Sequence, residues 1–241
     1  MKVRIKFRKY GAMIFIGHLD TMRFFQKLIR RADIDVSYTQ GFSPHQIMSF
    51  AAPLGVGLCS NGEYLDLGCE HVTSTKDMIE RLNQASVEGY EITNVVLLPE
   101  DAGNAMASVA AATYTVHMRY EQPEIDFASQ ISAFLKQETI SVVKQTKKSE
   151  KVLDIKPLIF DLDVSYEEVD GKRRPVFSMM VDASSAGNVK PALVLDTLYT
   201  FASLPAPKEF DYIITREDTY TNIGTSEEPK LVPLDAVGNT I

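Results

Sequence analysis

Hydrophobic residues recur with two different periods along this chain, and the order in which the periods alternate restricts the possible folds. Residues 2–7 alternate basic and apolar side chains, which is typical of a strand with one exposed, here cationic, face. In residues 18–32 apolar side chains, beginning with Leu19, return every three or four positions, as in an amphipathic helix. Two strands, a second helix and a third strand follow before Leu98. The chain therefore begins in the order strand, helix, strand, strand, helix, strand.

This order is that of the split βαβ arrangement in ferredoxin-like folds. A small-residue linker follows at residues 100–110, and a similar order of patterns then returns, with a hairpin joined through Asp170-Gly171. We expect an α+β fold of two tandem ferredoxin-like (βαββαβ) units with antiparallel sheets. The expected bounds are residues 1–100 for the N-terminal unit, 111–218 for the C-terminal unit and 219–241 for an irregular tail.

Composition excludes several classes of protein. Hydrophobic residues make up 45% of the chain and charged residues 24%, which is ordinary for a soluble globular protein. Its two cysteines are too few for a disulfide framework, and the chain begins without the apolar run of a signal peptide. No apolar stretch nears the roughly 20 residues that cross a bilayer. We expect a cytoplasmic protein without membrane contact, metal or cofactor of its own.

Charge is distributed unevenly along the chain. The first 50 residues hold nine basic and three acidic residues, a net charge of +6, whereas the whole chain has a net charge of −7. A basic segment on an acidic chain is a local electrostatic signal for an anionic partner. The sequence therefore predicts that an anionic partner would bind the N-terminal unit.

The start of the first helix carries the first candidate site. A helix N-terminus offers unpaired N–H groups and positive potential, and an arginine there adds a planar fork suited to phosphate or carboxylate. The alternative is an ordinary helix start in which Asp20 pairs with Arg23 and the other cations are solvated. The candidate residues for RNA or anion binding on this helix are His18, Asp20, Arg23, Lys27, Arg30 and Arg31.

The segment after this helix carries the second candidate site. Aromatic rings beside glutamine and histidine suit stacking on exposed bases and hydrogen bonding to them, and Gly41 allows close approach of the backbone. The alternative is a glycine–proline turn with Phe42 in the core. The candidate binding residues here are Tyr38, Gln40, Phe42 and His45.

Two further hypotheses concern more distant residues. His18 and His45, if they converge, are the candidate catalytic acid and base, and a third ligand at recognisable spacing for a metal is missing. A lysine-rich loop at residues 144–156 contributes Lys151 and Lys156 as further anion-binding candidates. The alternative for that loop is a solvated surface segment.

Several motifs occur in the order in which they occur in a known bacterial family. They are Phe15-x-Gly17-His18-Leu19-Asp20-x-x-Arg23, Tyr38-x-Gln40-Gly41-Phe42-x-Pro44-His45, Ser49-Phe50-Ala51-x-Pro53-Leu54 and Gly62-Glu63-Tyr64-Leu65-Asp66. In these motifs the chain resembles the radical SAM-linked proteins, a domain of unknown function, most clearly in its N-terminal half. Gly17 replaces a typical serine and Gln46 a common second proline. The resemblance implies a radical-SAM protein as partner and a role near RNA or ribosome modification.

Three functional hypotheses follow. The leading one is an accessory module, not catalytic by itself, that binds RNA or a ribosomal component and presents it to a radical-SAM partner. A second is a metal-independent endoribonuclease resembling the CRISPR repeat-processing enzymes, with His18 or His45 as general acid or base. A third is a protein-interaction scaffold that binds no nucleic acid.

Overall fold

Two units make up the chain. The structure is a computed structural model that describes residues 1–145, 150–225 and 227–241; for residues 144, 145, 150 and 151 it describes the backbone alone. The first unit contains Met1–Ala110 and Arg216–Ile241, and the second contains Ala111–Thr215.

The first unit is an antiparallel sheet with helices. Its strands pair in the order β4, β1, β3, β2, and each of these pairs is antiparallel. Its elements are β1 (Lys2–Lys9), a 3₁₀ helix (Gly11–Phe15), α1 (His18–Arg31), β2 (Met48–Phe50), β3 (Cys59–Gly68), α2 (Thr75–Ala85), β4 (Tyr90–Leu97) and α3 (Ala105–Ser108).

The second unit also combines a mostly antiparallel sheet with helices. Its elements are β5 (Ala111–Met118), α4 (Phe127–Leu135), β6 (Ser141–Gln145), β7 (Glu150–Asp154), a 3₁₀ helix (Lys156–Leu158), β8 (Ile159–Val169), β9 (Lys172–Asp182) and α5 (Pro191–Phe201). Strand β10 (Tyr212–Asn222) begins in this unit and ends in the first. The strand order is β10, β5, β9, β8, and β6 pairs separately with β7. The predicted α+β class is confirmed, and the sheet is mostly antiparallel.

Local chemistry explains where the main helices of the first unit begin and what they bury. Ser74 caps α2, and its Oγ accepts a hydrogen bond from Asp77 N at 3.2 Å. Helix α1 buries Phe25, Leu28 and Ile29, and the ring of Phe25 lies 4.5 Å from that of Phe7 in β1. Leu19, predicted to face the core, is instead 62% exposed. It lies in the first turn, outside the face along which the helix packs on the sheet.

The predicted exposure of the basic face of β1 is wrong for Arg4, whereas Lys2, Lys6 and Arg8 are partly exposed. The C-terminal segment meets this face: Leu234 contacts Arg4, which is only 1% exposed, and Asp218 pairs with Lys6. The Arg4 guanidinium donates to both carboxylate oxygens of Asp66, at 2.6 and 2.9 Å, and to Leu234 O at 2.8 Å. Burial of this cation is possible because every side of the charge has an acceptor.

The predicted irregular tail is also corrected. Residues after 219 complete β10, form β11 (Leu231–Pro233), which pairs with β10, and form a 3₁₀ helix (Leu234–Val237). Leu234 is fully buried in the first unit, and Asn239 pairs with Leu97 of β4. The C-terminal segment is ordered because its backbone supplies hydrogen-bond acceptors to the sheet and the side chain of Leu234 packs in the core. Within the described residues, no helix is long and apolar enough to cross a membrane.

Candidate nucleic-acid interface

The exposed side of α1 carries the cations that the sequence singles out. Arg23, Lys27, Arg30 and Arg31 are all exposed and fall at helical spacings of three and four, so they share one face. Arg23 donates to Asp20 at 3.1 Å, an exposed pair of small energetic value. Arg30 Nε donates to Gln26 O at 3.2 Å, and the Arg31 guanidinium lies 5.9 Å from the ring centroid of Phe24. We call these four residues the cationic stripe.

A short hairpin follows α1 and presents aromatic rings to solvent. Tyr38 and Gln46 form an antiparallel bridge, and Thr39 N donates to His45 O at 2.9 Å. Gly41 at the tip has φ +115°, a conformation that favours glycine. Phe42 beside it is fully exposed, so the alternative that places this ring in the core is wrong. Tyr38 and Gln40 are exposed too, and we call residues 38–46 the aromatic hairpin.

Gln46 connects the aromatic hairpin to the helix. Its side chain is 7% exposed and its Nε2 donates to Gln26 O at 3.3 Å, between Arg23 and Arg30 in the sequence of α1. Gln46 Oε1 is buried without a partner in the described part of the chain. The hairpin is therefore anchored at the middle of the helix that carries the cationic stripe.

The two candidate catalytic histidines have different surroundings. His45 is exposed, and its Nδ1 lies 3.1 Å from Thr39 Oγ1 and 3.4 Å from Ser43 O. His18, the first residue of α1, is half-buried and its ring meets that of Phe50 edge to face at 5.2 Å. Among the described contacts none joins the two rings. His45 thus stabilises the hairpin, and His18 packs on the core.

Most β1 cations are paired internally. Lys6 donates to Asp218 at 2.7 Å, Arg8 donates to Glu91 at 2.9 Å, and Arg4 is buried against Asp66. These pairs neutralise much of the positive charge that the sequence places before residue 10. Among the candidate binding residues whose side chains are described, the exposed cations are those of the cationic stripe.

The lysine-rich segment does not form the single loop that the sequence predicts. Strands β6 and β7 occupy much of it, and residues 146–149, including Lys147 and Lys148, lie outside the described residues. The side chain of Lys151 is also outside the described part. Lys156 belongs to the second unit and its Nζ donates to Gln137 O, so it joins two segments of that unit.

Sequence reasoning missed a buried charged group in the first unit. Lys9, Glu63 and Arg216 are all buried, and Arg216 Nη1 lies 2.9 and 3.2 Å from the carboxylate oxygens of Glu63. The available signal was the pair Glu63 and Asp66 within an otherwise apolar strand pattern. Acidic residues in a buried strand require basic partners, which Arg216 and Arg4 supply.

Comparison with protein families identifies the group to which the chain belongs. Residues 2–191 match a family described as "Uncharacterized protein conserved in bacteria (DUF2344)". The chain belongs to this family. The DUF2344 match includes α1, the aromatic hairpin and β1–β9, and the family description names no activity, ligand or partner.

Other comparisons add two distant similarities to the DUF2344 assignment. None of the curated proteins matches the chain. A Cbf5–Nop10–Gar1 complex contains a chain with TM-score 0.45 and 9% identity; the match covers 90% of this chain and 48%, about half, of that chain. An unknown protein from Galdieria sulphuraria has TM-score 0.23 and 11% identity, with 96% of this chain and 98% of the other covered. Similarities this weak carry no argument about function.

Proposed function

We propose that the first unit is an accessory module that binds single-stranded RNA, free or within a ribosomal component, and presents it to a radical-SAM partner. The observation that carries the proposal is the fully exposed ring of Phe42 on a hairpin anchored to the helix with the cationic stripe. Rings and cations on neighbouring elements are the two components of sequence-tolerant binding to single strands.

Each component has a separate role in this proposal. Phe42 and Tyr38 would stack on unpaired bases, each stack contributing about 1–3 kcal/mol. Lys27, Arg30 and Arg31 would contact successive phosphates, and their binding would release counterions. Duplex RNA hides its base faces, so the proposed ligand is a loop, bulge or free end.

We also propose that both units are ferredoxin-like. In the first unit the order β4, β1, β3, β2 is that of a βαββαβ sheet whose two helices are α1 and α2. In the second, the order β10, β5, β9, β8 repeats it, with α4 and α5 as helices and β6–β7 as an inserted hairpin. The strand orders support a repeated arrangement.

The radical-SAM partner is proposed from the sequence resemblance. Cys59 and Cys69 are fewer thiolates than an iron–sulfur cluster requires, so the proposal assigns any radical chemistry to the partner. In this arrangement the module binds the RNA and the partner catalyses the reaction.

Fluorescence anisotropy with a labelled single-stranded RNA tests the RNA part of the proposal. Replacing Lys27, Arg30 and Arg31 together with glutamine should weaken binding and reduce the salt slope by about 0.7 per lost phosphate contact. Phe42→Ala should weaken binding about 5- to 150-fold with the salt slope unchanged. Lys76→Gln, an exposed cation on α2, is the matched control. Wild-type affinity in both site variants would contradict the proposal.

Co-purification tests the partner. The tagged protein, treated with nuclease, should retain a co-expressed radical-SAM protein from the same bacterium. Retention of the partner together with no affinity for RNA would favour the scaffold alternative. If the protein binds RNA but does not retain the partner, it is an RNA-binding protein, and the proposal that it presents RNA to a radical-SAM protein is contradicted.

A further inference from the structure

A small cavity lies at the N-terminal end of α1, within the first unit. Its volume is about 10 Å³, and Lys9, His18, Thr21 and Glu63 supply its polar lining. A cavity of this volume admits about one water-sized group. Phe7, Phe50, Ala52 and Leu54 complete the lining, so the cavity is half polar and can hold a hydrogen-bonding group, whereas a wholly apolar void remains dry.

Lys9 has more hydrogen-bond donors than the protein satisfies. It is 2% exposed and its Nζ donates to Ile16 O at 2.6 Å, which is its one acceptor among the described residues. An ammonium group has three N–H donors, and a buried charge is costly unless it is hydrogen-bonded. Burial lowers the pKa of Lys9, and the charge of Glu63 opposes that effect.

The neighbouring polar groups are already occupied. Glu63 receives Arg216 Nη1 on both oxygens, at 2.9 and 3.2 Å, so its charge is balanced by that residue. Thr21 Oγ1 shares a hydrogen bond with Tyr90 OH at 2.7 Å. The cavity therefore lies beside the Lys9 ammonium, which has unused donors, and beside the Glu63 carboxylate, whose negative charge is offset by Arg216.

The helix adds positive potential to the same place. Gly17, the N-cap of α1, supplies no side-chain cap to the first turn, and helix N-termini favour anions. His18 is half-buried and lines the cavity, and an imidazole ring carries a nitrogen that can donate a hydrogen bond to an anion.

We propose that this cavity binds one oxygen of a small oxyanion, a phosphate or a carboxylate, through Lys9 Nζ and His18. The cavity has room for one oxygen-sized group, so only one oxygen of the anion would lie inside it. This site uses neither the aromatic hairpin nor the cationic stripe, and it does not depend on the proposed binding of RNA.

Thermal unfolding and calorimetry with inorganic phosphate and with acetate test the site, with sodium chloride at equal ionic strength as the control. A ligand that binds the folded state alone raises the melting temperature with its concentration. We expect one of the two anions to raise it in the wild-type protein and in Lys76→Met, and to have no effect in Lys9→Met. The effective anion assigns the chemical class.

Lys9→Met retains the aliphatic stem and leaves the pair Glu63–Arg216 intact, so we expect it to fold, which circular dichroism checks. Should it not fold, the NMR shift of Lys9 Nζ in the wild-type protein gives a second measurement, and it should move on addition of the anion. No anion-specific stabilisation and no shift change would show a cavity that holds water alone and would overturn the proposal. Equal stabilisation of a folded Lys9→Met would also overturn it.

Discussion

Arg4 and Asp66 form the most completely buried ion pair among the described residues. Their side chains are 1% and 5% exposed, and the guanidinium also donates to Leu234 O at 2.8 Å. A buried pair of this kind adds little stability compared with well-packed apolar residues, but losing one partner leaves an uncompensated charge. Its role is to tie β1, β3 and the C-terminal segment together.

Asp66→Ala should therefore lower the free energy of unfolding by about 3–5 kcal/mol, because Arg4 is left buried without its counter-charge. The double variant Arg4→Met/Asp66→Leu should recover much of this loss. Urea denaturation of both variants measures it. A double variant less stable than Asp66→Ala would contradict the prediction.

The two cysteines should react at different rates. Burial raises the pKa of Cys69 to about 11, so at neutral pH its thiol is protonated, and the thiolate is the reactive species. Cys59 is partly exposed. With a colorimetric thiol reagent, Cys59→Ser should show slow modification limited by opening of the structure, and Cys69→Ser should show fast modification. Equal rates would exclude protection of Cys69 by the fold.

Tyr64 makes stability sensitive to alkaline pH. Burial, together with the charges of Asp218 and Asp235, raises the pKa of its hydroxyl, which donates to Asp218 at 2.6 Å and to Asp235 at 3.0 Å. The folded state therefore holds a proton that the unfolded chain releases above about pH 10. Below about pH 10 the contribution of the Tyr64 proton to the free energy of unfolding is constant. As the pH rises above about 10, the free energy of unfolding falls.

Tyr64→Phe should be less stable than the wild-type protein at pH 7 by about 1–3 kcal/mol, because Asp218 and Asp235 lose a donor. Above about pH 10 the difference should narrow, by at most about 1.4 kcal/mol per pH unit. Urea denaturation as a function of pH measures both effects. A difference independent of pH would show that Tyr64 ionises equally in both states.

At the scale of elements, the hairpin of β8 and β9 shows how local chemistry specifies structure. Asp170 and Gly171 have φ of 54° and 70°, and positive φ at both central residues is the mark of a type I′ turn. The register then pairs Val169 with Lys172, as a two-residue turn requires. The Asp-Gly dipeptide predicted this turn correctly.

Gly171→Ala should destabilise the protein by about 1–2 kcal/mol, because an L-residue with a Cβ is strained in this conformation. Asp170→Asn is the matched control, since asparagine tolerates positive φ and should remain near wild-type stability. Thermal unfolding compares the two. Similar melting temperatures for both variants would mean that the turn rearranges without strain.

At the scale of the whole molecule, the C-terminal segment completes the first unit. Leu234 is fully buried, Asp235 accepts from Asn94 Nδ2 at 2.8 Å, and Asn239 exchanges backbone hydrogen bonds with Leu97 at 2.8 and 2.9 Å. The first unit therefore consists of two pieces of chain that are separated by the whole second unit. Its stability depends on residues at both ends of the sequence.

Leu234→Ala should lower the free energy of unfolding by about 2–5 kcal/mol, the range for a large-to-small change in a core. Ile223→Ala, in the same segment but 52% exposed, is the control and should have little effect. Urea denaturation, followed by circular dichroism, measures both. Equal small effects would show that the C-terminal segment is dispensable for the first unit.

Local patterns in the sequence were sufficient for the α+β class, the position of α1 and the Asp-Gly turn. Each depends on residues within one or two turns of each other, so period and turn chemistry encode it. The candidate binding residues on α1 were likewise recognisable from helical spacing, and their function stays a prediction.

Tertiary structure alone decided which of the basic residues near the N-terminus reach solvent. The period-2 pattern of β1 predicts one open face, but Leu234 and Asp218, more than 200 residues away from Arg4 and Lys6, cover or neutralise it. Only the fold showed that Phe42 is exposed and that Lys9 is buried beside a cavity. Burial and ion pairing depend on distances between remote segments, and local periodicity carries no information about those distances.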